Sequence, residues 1–246
     1  MTSKLFTSGL FAGLAAGLIA VLLQIWLMEP LILQGEAYET GAKVHFGGVA
    51  GAEATDGHDH ATHDHSDVAA TADEQDENLT SRFTLAFFAE FVTWAGFGLV
   101  MVTGFALAAR FGHKTTLQQG LLWGIAGFVS FQLMPGLGLS PELPGVPAAE
   151  LQGRQIWWVG TVIATAIALG LFAFGIGIAA RLLGLGLLLV PHLIGAPHLQ
   201  EFLGTAPPGL AAEFVTHSFV ASMAAWVTLG TVAGYLWHRN LGEPTV

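Results

Sequence analysis

Five runs in this chain are apolar for long enough to cross a lipid bilayer, and that constrains the fold more than any other feature of the sequence. They extend over Leu5 to Met28, then from about Phe83 to Ala109, Leu117 to Met134, Ile156 to Ala180 and Ala211 to Leu236. A hydrocarbon core about 30 Å thick needs about 20 helical residues at 1.5 Å each. The first run has 24 residues, with Gln24 its one strongly polar interruption. Only 11% of the chain is charged and 53% is apolar, against about 25% charged in a soluble domain. An all-α fold follows, a polytopic transmembrane helix bundle, because lipid offers the backbone no hydrogen-bond partner outside helices or closed barrels.

The formal net charge of −10 is concentrated in one stretch, since residues 29–79 hold 12 of the 18 acidic groups against the single Lys43. The chain therefore divides into a first span over 1–28, an acidic and largely disordered loop over 29–79, and a bundle of four further spans over 80–246. Basic residues near span ends are retained in the cytoplasm. Lys4 thus places the N-terminus inside, the first loop and the loop around 135–155 outside, and Arg110, Lys114 and Arg181 inside. Five crossings leave Arg239 outside; a sixth, short crossing through 182–196 would return it to the cytoplasm. Five is the expectation and six the alternative. The segment 182–209, interrupted by Pro191 and Pro197, reads as re-entrant or interfacial. Glycines spaced four apart (Gly9-Gly13-Gly17, Gly120-Gly124, Gly230-Gly234) form smooth helix faces. These suit packing inside the bundle or, less readily, a homo-oligomer or partner helix.

Several functions are excluded. Without cysteine there is no thiolate zinc site, iron–sulfur cluster, disulfide or cysteine nucleophile. No phosphate-binding loop, H-E-x-x-H or G-x-S-x-G motif occurs, so no catalytic site and no bound organic cofactor are expected. An acidic loop on a near-neutral body gives nucleic acid nothing to bind.

Oxygen and nitrogen ligands remain. The loop reads DGHDHATHDHSD over 56–67, with His58, His60, His63 and His65 separated by Asp59 and Asp64. Imidazole and carboxylate suit divalent first-row metals, and nickel, zinc, copper and cobalt all accept such donors. A flexible loop of this composition binds weakly, which fits capture of an ion better than its storage. Within the spans, Glu90 is a costly charge at lipid depth. Glu213 and His217 lie at i, i+4 on one helix face, a spacing that suits two ligands of one ion. His192 and His198 each follow a proline, and His45 lies with Glu36 and Glu39 beyond the first span. Trp157 and Trp158, next to Arg154 and Gln155, read as anchors at the membrane interface.

Several stretches together resemble the proposed cobalt transporter subunit family CbtA. They are the first span running into Gln24, Pro30-Leu31-Ile32 and Gly35-Glu36-Ala37-Tyr38-Glu39; PGLGLSPELPG at 135–145; RQIWW at 154–158; PHLIGAPH at 191–198; and the last span with its Pro-rich approach. The resemblance covers nearly the whole chain. It implies a bacterial inner-membrane protein of about five spans that works with a small, single-span, histidine-bearing partner, CbtB, in cobalt uptake, so that cobalt is the transported species. Glu36, Glu39, Glu142, His192 and His198 are the positions that match the family's motifs. Two other classes stay open: a metal-sensing or assembly scaffold dependent on the 56–67 loop, and a haem-bearing redox protein with His192 and His217 as axial ligands.

Overall fold

The computed structural model describes residues 2–45, 72–201 and 204–241, with side chains placed for 4–45, 84–201 and 204–240. The histidine loop at 56–67 lies outside the described residues. The helices are α1 (Thr2–Leu23), α2 (Glu29–Glu39), α3 (Ala72–Arg110), α4 (Leu117–Phe128), α5 (Met134–Gly138), α6 (Leu151–Phe174), α7 (Gly177–Ile194) and α8 (Pro208–Leu241). No strand occurs among the described residues.

Two of these helices are widened by a π-helical turn, Gln24–Met28 between α1 and α2 and Val129–Leu133 between α4 and α5. Each turn is followed by a proline, Pro30 or Pro135, in the first turn of the next helix. Proline has no N–H to donate and its ring crowds the carbonyl four residues back. The residue before it relieves this by bonding five residues back, Glu29 N–H to the Gln24 carbonyl and Met134 N–H to the Val129 carbonyl. The helix that begins at Thr2 therefore does not end at Met28 but runs on to Glu39, so 29–39 is helical, as is the chain from Ala72 onward.

Among the described residues, six helices are long and apolar enough to cross a membrane: Lys4–Glu39, Thr84–Arg110, Leu117–Gly138, Leu151–Phe174, Gly177–Ile194 and Pro208–Asn240. The sixth comes from dividing the run drawn as 156–180. Gly175 and Ile176 are extended and Gly177 has φ +82°, open to glycine at little cost. The chain turns back there, so 177–194 is a helix rather than a re-entrant stretch. Pro191 sits inside that helix, in its last turn, and irregular chain begins only at Gly195.

α1, α3, α4 and α8 form the tight part of the bundle, each adjacent pair antiparallel. A Cβ added at Gly98 would overlap the Gly9 carbonyl oxygen, one at Gly13 the Trp94 carbonyl, and one at Gly230 the Gly120 carbonyl. These contacts consume the glycine faces inside the molecule. Backbones can approach this closely only where side chains are missing, which matters in lipid because apolar burial no longer drives helices together. Around them Trp94, Phe105, Phe128, Trp226 and Leu229 fill the core. The Trp226 ring lies 5.4 Å from Phe131 and 5.5 Å from Trp94. α8 runs antiparallel to α1 along its length: Asn240 Nδ2 donates to Ser8 Oγ at 3.2 Å near one end, and His217 meets Leu27 near the other.

Carboxylates are segregated to one end, which also holds Lys43 and the Arg154 that pairs with Glu142. Lys4, Arg110, Lys114, Arg181 and Arg239 lie at or near the end formed by the start of α1 and the close of α8. Apart from Glu90, which lies within the bundle, the acidic side chains described cluster toward the opposite end.

Candidate metal pathway at the acidic end

The motif PGLGLSPELPG folds back over the acidic end instead of leaving it. Leu143 is buried against Leu31 of α2 and Phe214 of α8, and Gly35 leaves room for Leu143 and Pro144. This small apolar cluster joins the three elements that carry Glu36, Glu142 and Glu213. Gly145, at φ +80°, abuts Glu39 and Thr205. Arg154 Nη2 donates to Glu142 Oε2 at 3.0 Å, and Glu150 caps α6 by accepting from the backbone N–H groups of Gln152 and Gly153.

Trp157 is not an interface anchor. It is buried, and its indole Nε1 donates 3.0 Å to the Pro191 carbonyl across the α6–α7 hairpin. Arg154 at the start of α6 suggested an interface for the whole RQIWW run, but Trp157 lies one helix turn further in, where α7 packs over it. His192 packs edge-on to the Trp157 ring at 5.9 Å, and its Nε2 is buried with no hydrogen-bond partner among the described residues. His198 is exposed on the irregular chain after α7.

His217 Nδ1 lies 3.2 Å from the Leu27 carbonyl oxygen, within the first π-helical turn. A carbonyl only accepts, so Nδ1 carries a proton, and in the neutral ring the lone pair is then on Nε2. Histidines that bind metal are commonly oriented in this way, with one ring nitrogen donating to a carbonyl and the other free to coordinate. Glu213 is exposed one turn earlier on α8, toward the acidic end. Glu90 is elsewhere: its Oε2 accepts from the Trp94 indole at 2.8 Å. Its neighbour Phe91 lies against Gly17, and from Gly17 to Leu27 is about 15 Å along α1. Glu90 and His217 therefore cannot share one ion in this arrangement. His192 packs on Trp157 of α6, and His217 meets Leu27 of the first π-helical turn.

No group of three or more His, Asp or Glu side chains close enough to hold a metal ion occurs among the described residues. Glu213 and His217 supply at most two donors on one helix face, and His45, Glu36 and Glu39 do not join them into a larger set. The π-helical turn that provides the Leu27 carbonyl was not foreseen, although a proline two residues beyond an apolar run was the available signal.

A family model described as a probable cobalt transporter subunit, CbtA, matches residues 2–238. The chain belongs to the CbtA family. The match spans both π-helical turns, the folded-back PGLGLSPELPG segment, the first five candidate spans and all but the last two residues of the sixth. No curated protein and no solved structure matches the chain. This CbtA family member is a multi-pass membrane protein, and the family's description makes it a subunit of a cobalt transporter.

Proposed function

We propose that divalent cobalt enters at the acidic end and is passed inward through an incomplete, two-donor site on α8. Glu213 meets the ion first; the lone pair on His217 Nε2 receives it next. The observation that carries this reading is the pairing of His217 Nδ1 with the Leu27 carbonyl, which fixes the tautomer and leaves the coordinating nitrogen available. Two donors fall short of the four or more ligands that first-row divalent ions take. The rest come from water, from the imidazoles and carboxylates of 56–67, and from a single-span CbtB-like partner. Weak, incomplete coordination suits an ion that must leave again. Gln24, two turns along α1 from Gly17 and so on the face turned to α3, and then Glu90 supply oxygen donors deeper in the bundle.

The charge segregation supports a bacterial inner-membrane orientation with the basic end, and so both termini, in the cytoplasm. The acidic end and the 56–67 loop then face the side from which a cation arrives.

Cobalt uptake into proteoliposomes holding the chain and its partner tests the reading. His217→Ala is expected to lower the initial rate at least tenfold, and His217→Gln, whose amide can still donate to the Leu27 carbonyl, to lower it as far because no imidazole nitrogen remains. Unchanged rates for both variants at equal protein levels would remove the α8 site from the pathway. A scaffold or sensor, by contrast, would give no accumulation even for the unmodified chain.

A further inference from the structure

The α6–α7 hairpin meets the rest of the bundle near its two ends. Trp158 packs on Phe131 at one, and Phe174 packs on Trp123 and His113 at the other. Between these contacts a cavity of 620 Å³ separates α6 from α3 and α4. Its walls are mainly apolar, with Val100, Leu122 and Leu169 among them. Val100 and Leu122 are 60% and 63% exposed, so the cavity is open sideways at membrane depth. Its mouth is at the basic end, where His113 and Lys114 line it. The His113 ring is held there by Phe174, 4.6 Å away.

This is no cation route, because no carboxylate lines it and its mouth carries an ammonium group. Its depth is informative. Gln119 and Ser130 both line it, and α4 advances about 16 Å between them, close to half of a hydrocarbon core of about 30 Å, or one leaflet. An apolar slot one leaflet deep, entered from the bilayer and capped by basic groups, matches an acyl chain beneath an acidic headgroup. Basic pockets between transmembrane helices recognise anionic lipids in this way.

We propose that the cleft between α3, α4 and α6 binds an anionic phospholipid, with one acyl chain lying along α4 and the headgroup phosphate accepting hydrogen bonds from His113 and Lys114. Gly170 provides the means of testing it. Gly170 lines the cleft, and a Cβ there meets nothing within 4 Å, so a larger side chain enters the cavity without a backbone clash and raises helix propensity.

The experiment is lipid titration of the delipidated full chain, read by native mass spectrometry, with phosphatidylglycerol and phosphatidylcholine of identical acyl chains. The unmodified protein is expected to bind phosphatidylglycerol about fivefold more tightly, the preference that one basic group near a membrane surface confers. Lys114→Ala, which leaves the cavity intact, should bring the two lipids close to parity. Gly170→Phe should lower occupancy by both. Equal affinity of the unmodified protein for the two lipids would overturn the proposal, as would undiminished binding by Gly170→Phe. So would finding that a second copy of the chain, and not lipid, is what Gly170→Phe displaces.

Discussion

α1 meets α3, and α4 meets α8, across glycines so close that an added methyl group at Gly98 or Gly230 would strike a carbonyl oxygen on the facing helix. α6 meets α7 differently. That contact rests on the buried Trp157 with its bond to the Pro191 carbonyl, on Thr161 and Thr165, and on Gly184 admitting the Phe172 ring. α7 leaves Leu182, Leu183, Leu185 and Leu189 exposed, while α8 buries Ala225, Trp226, Leu229 and Ala233. In lipid, dispersion and backbone proximity decide which helices adhere, because an apolar side chain gains little by leaving one oily surface for another. The glycine-lined helices form a rigid frame, and the hairpin is an attachment fixed at its ends with a cleft beneath it.

The comparison breaks most readily at the frame. Gly98→Leu should cost more than about 3 kcal/mol, because the facing group is backbone and cannot rotate away. Fluorescence-detected size exclusion should show aggregated or absent protein, and a monodisperse peak at normal yield would refute the close approach. On the hairpin, Trp157→Phe removes the indole's bond to the Pro191 carbonyl, which keeps the Gly195 N–H as a donor, and should cost about 0.5–1.5 kcal/mol. A thermal melt in detergent should record a lower midpoint with the fold retained. Least affected should be Gly186→Ala on α7, where a Cβ meets nothing within 4 Å. This change should be neutral or stabilising by up to about 1 kcal/mol, and a clear loss of stability would mean that α7 has a neighbour on that face. The six-crossing topology has its own check, since the chain contains no native cysteine to confuse labelling. Single cysteines replacing Lys4 and Arg239 should react with a membrane-impermeant reagent from the same side, and one replacing His198 from the other; opposite labelling of the first two positions would restore five crossings.

Most of the architecture was legible in the sequence because every span outside the α6–α7 hairpin announces itself by length, and the glycine faces by their spacing. The division at Gly175-Ile176-Gly177 was hidden, since neither charge nor proline marks a turn made by small and apolar residues at a membrane boundary. The candidate site was only half legible. Glu213 and His217 declare a shared face by their i, i+4 spacing. No local pattern reports that the His217 ring pairs with a carbonyl 190 positions away, because backbone groups are the same at every residue. Trp157 misled for a related reason: a flanking arginine reveals depth in the membrane but not the direction in which the next helix turn points.

α8 is synthesised after the other described helices, yet it lies along α1, which is synthesised before them. During synthesis the Ser8 and Leu27 side of α1 must wait in the membrane without its companion until α8 has been made. Chains cut short after Ile194 would keep that side turned to lipid or to another copy, so premature termination should yield oligomerising fragments marked for proteolysis in place of partly working carriers.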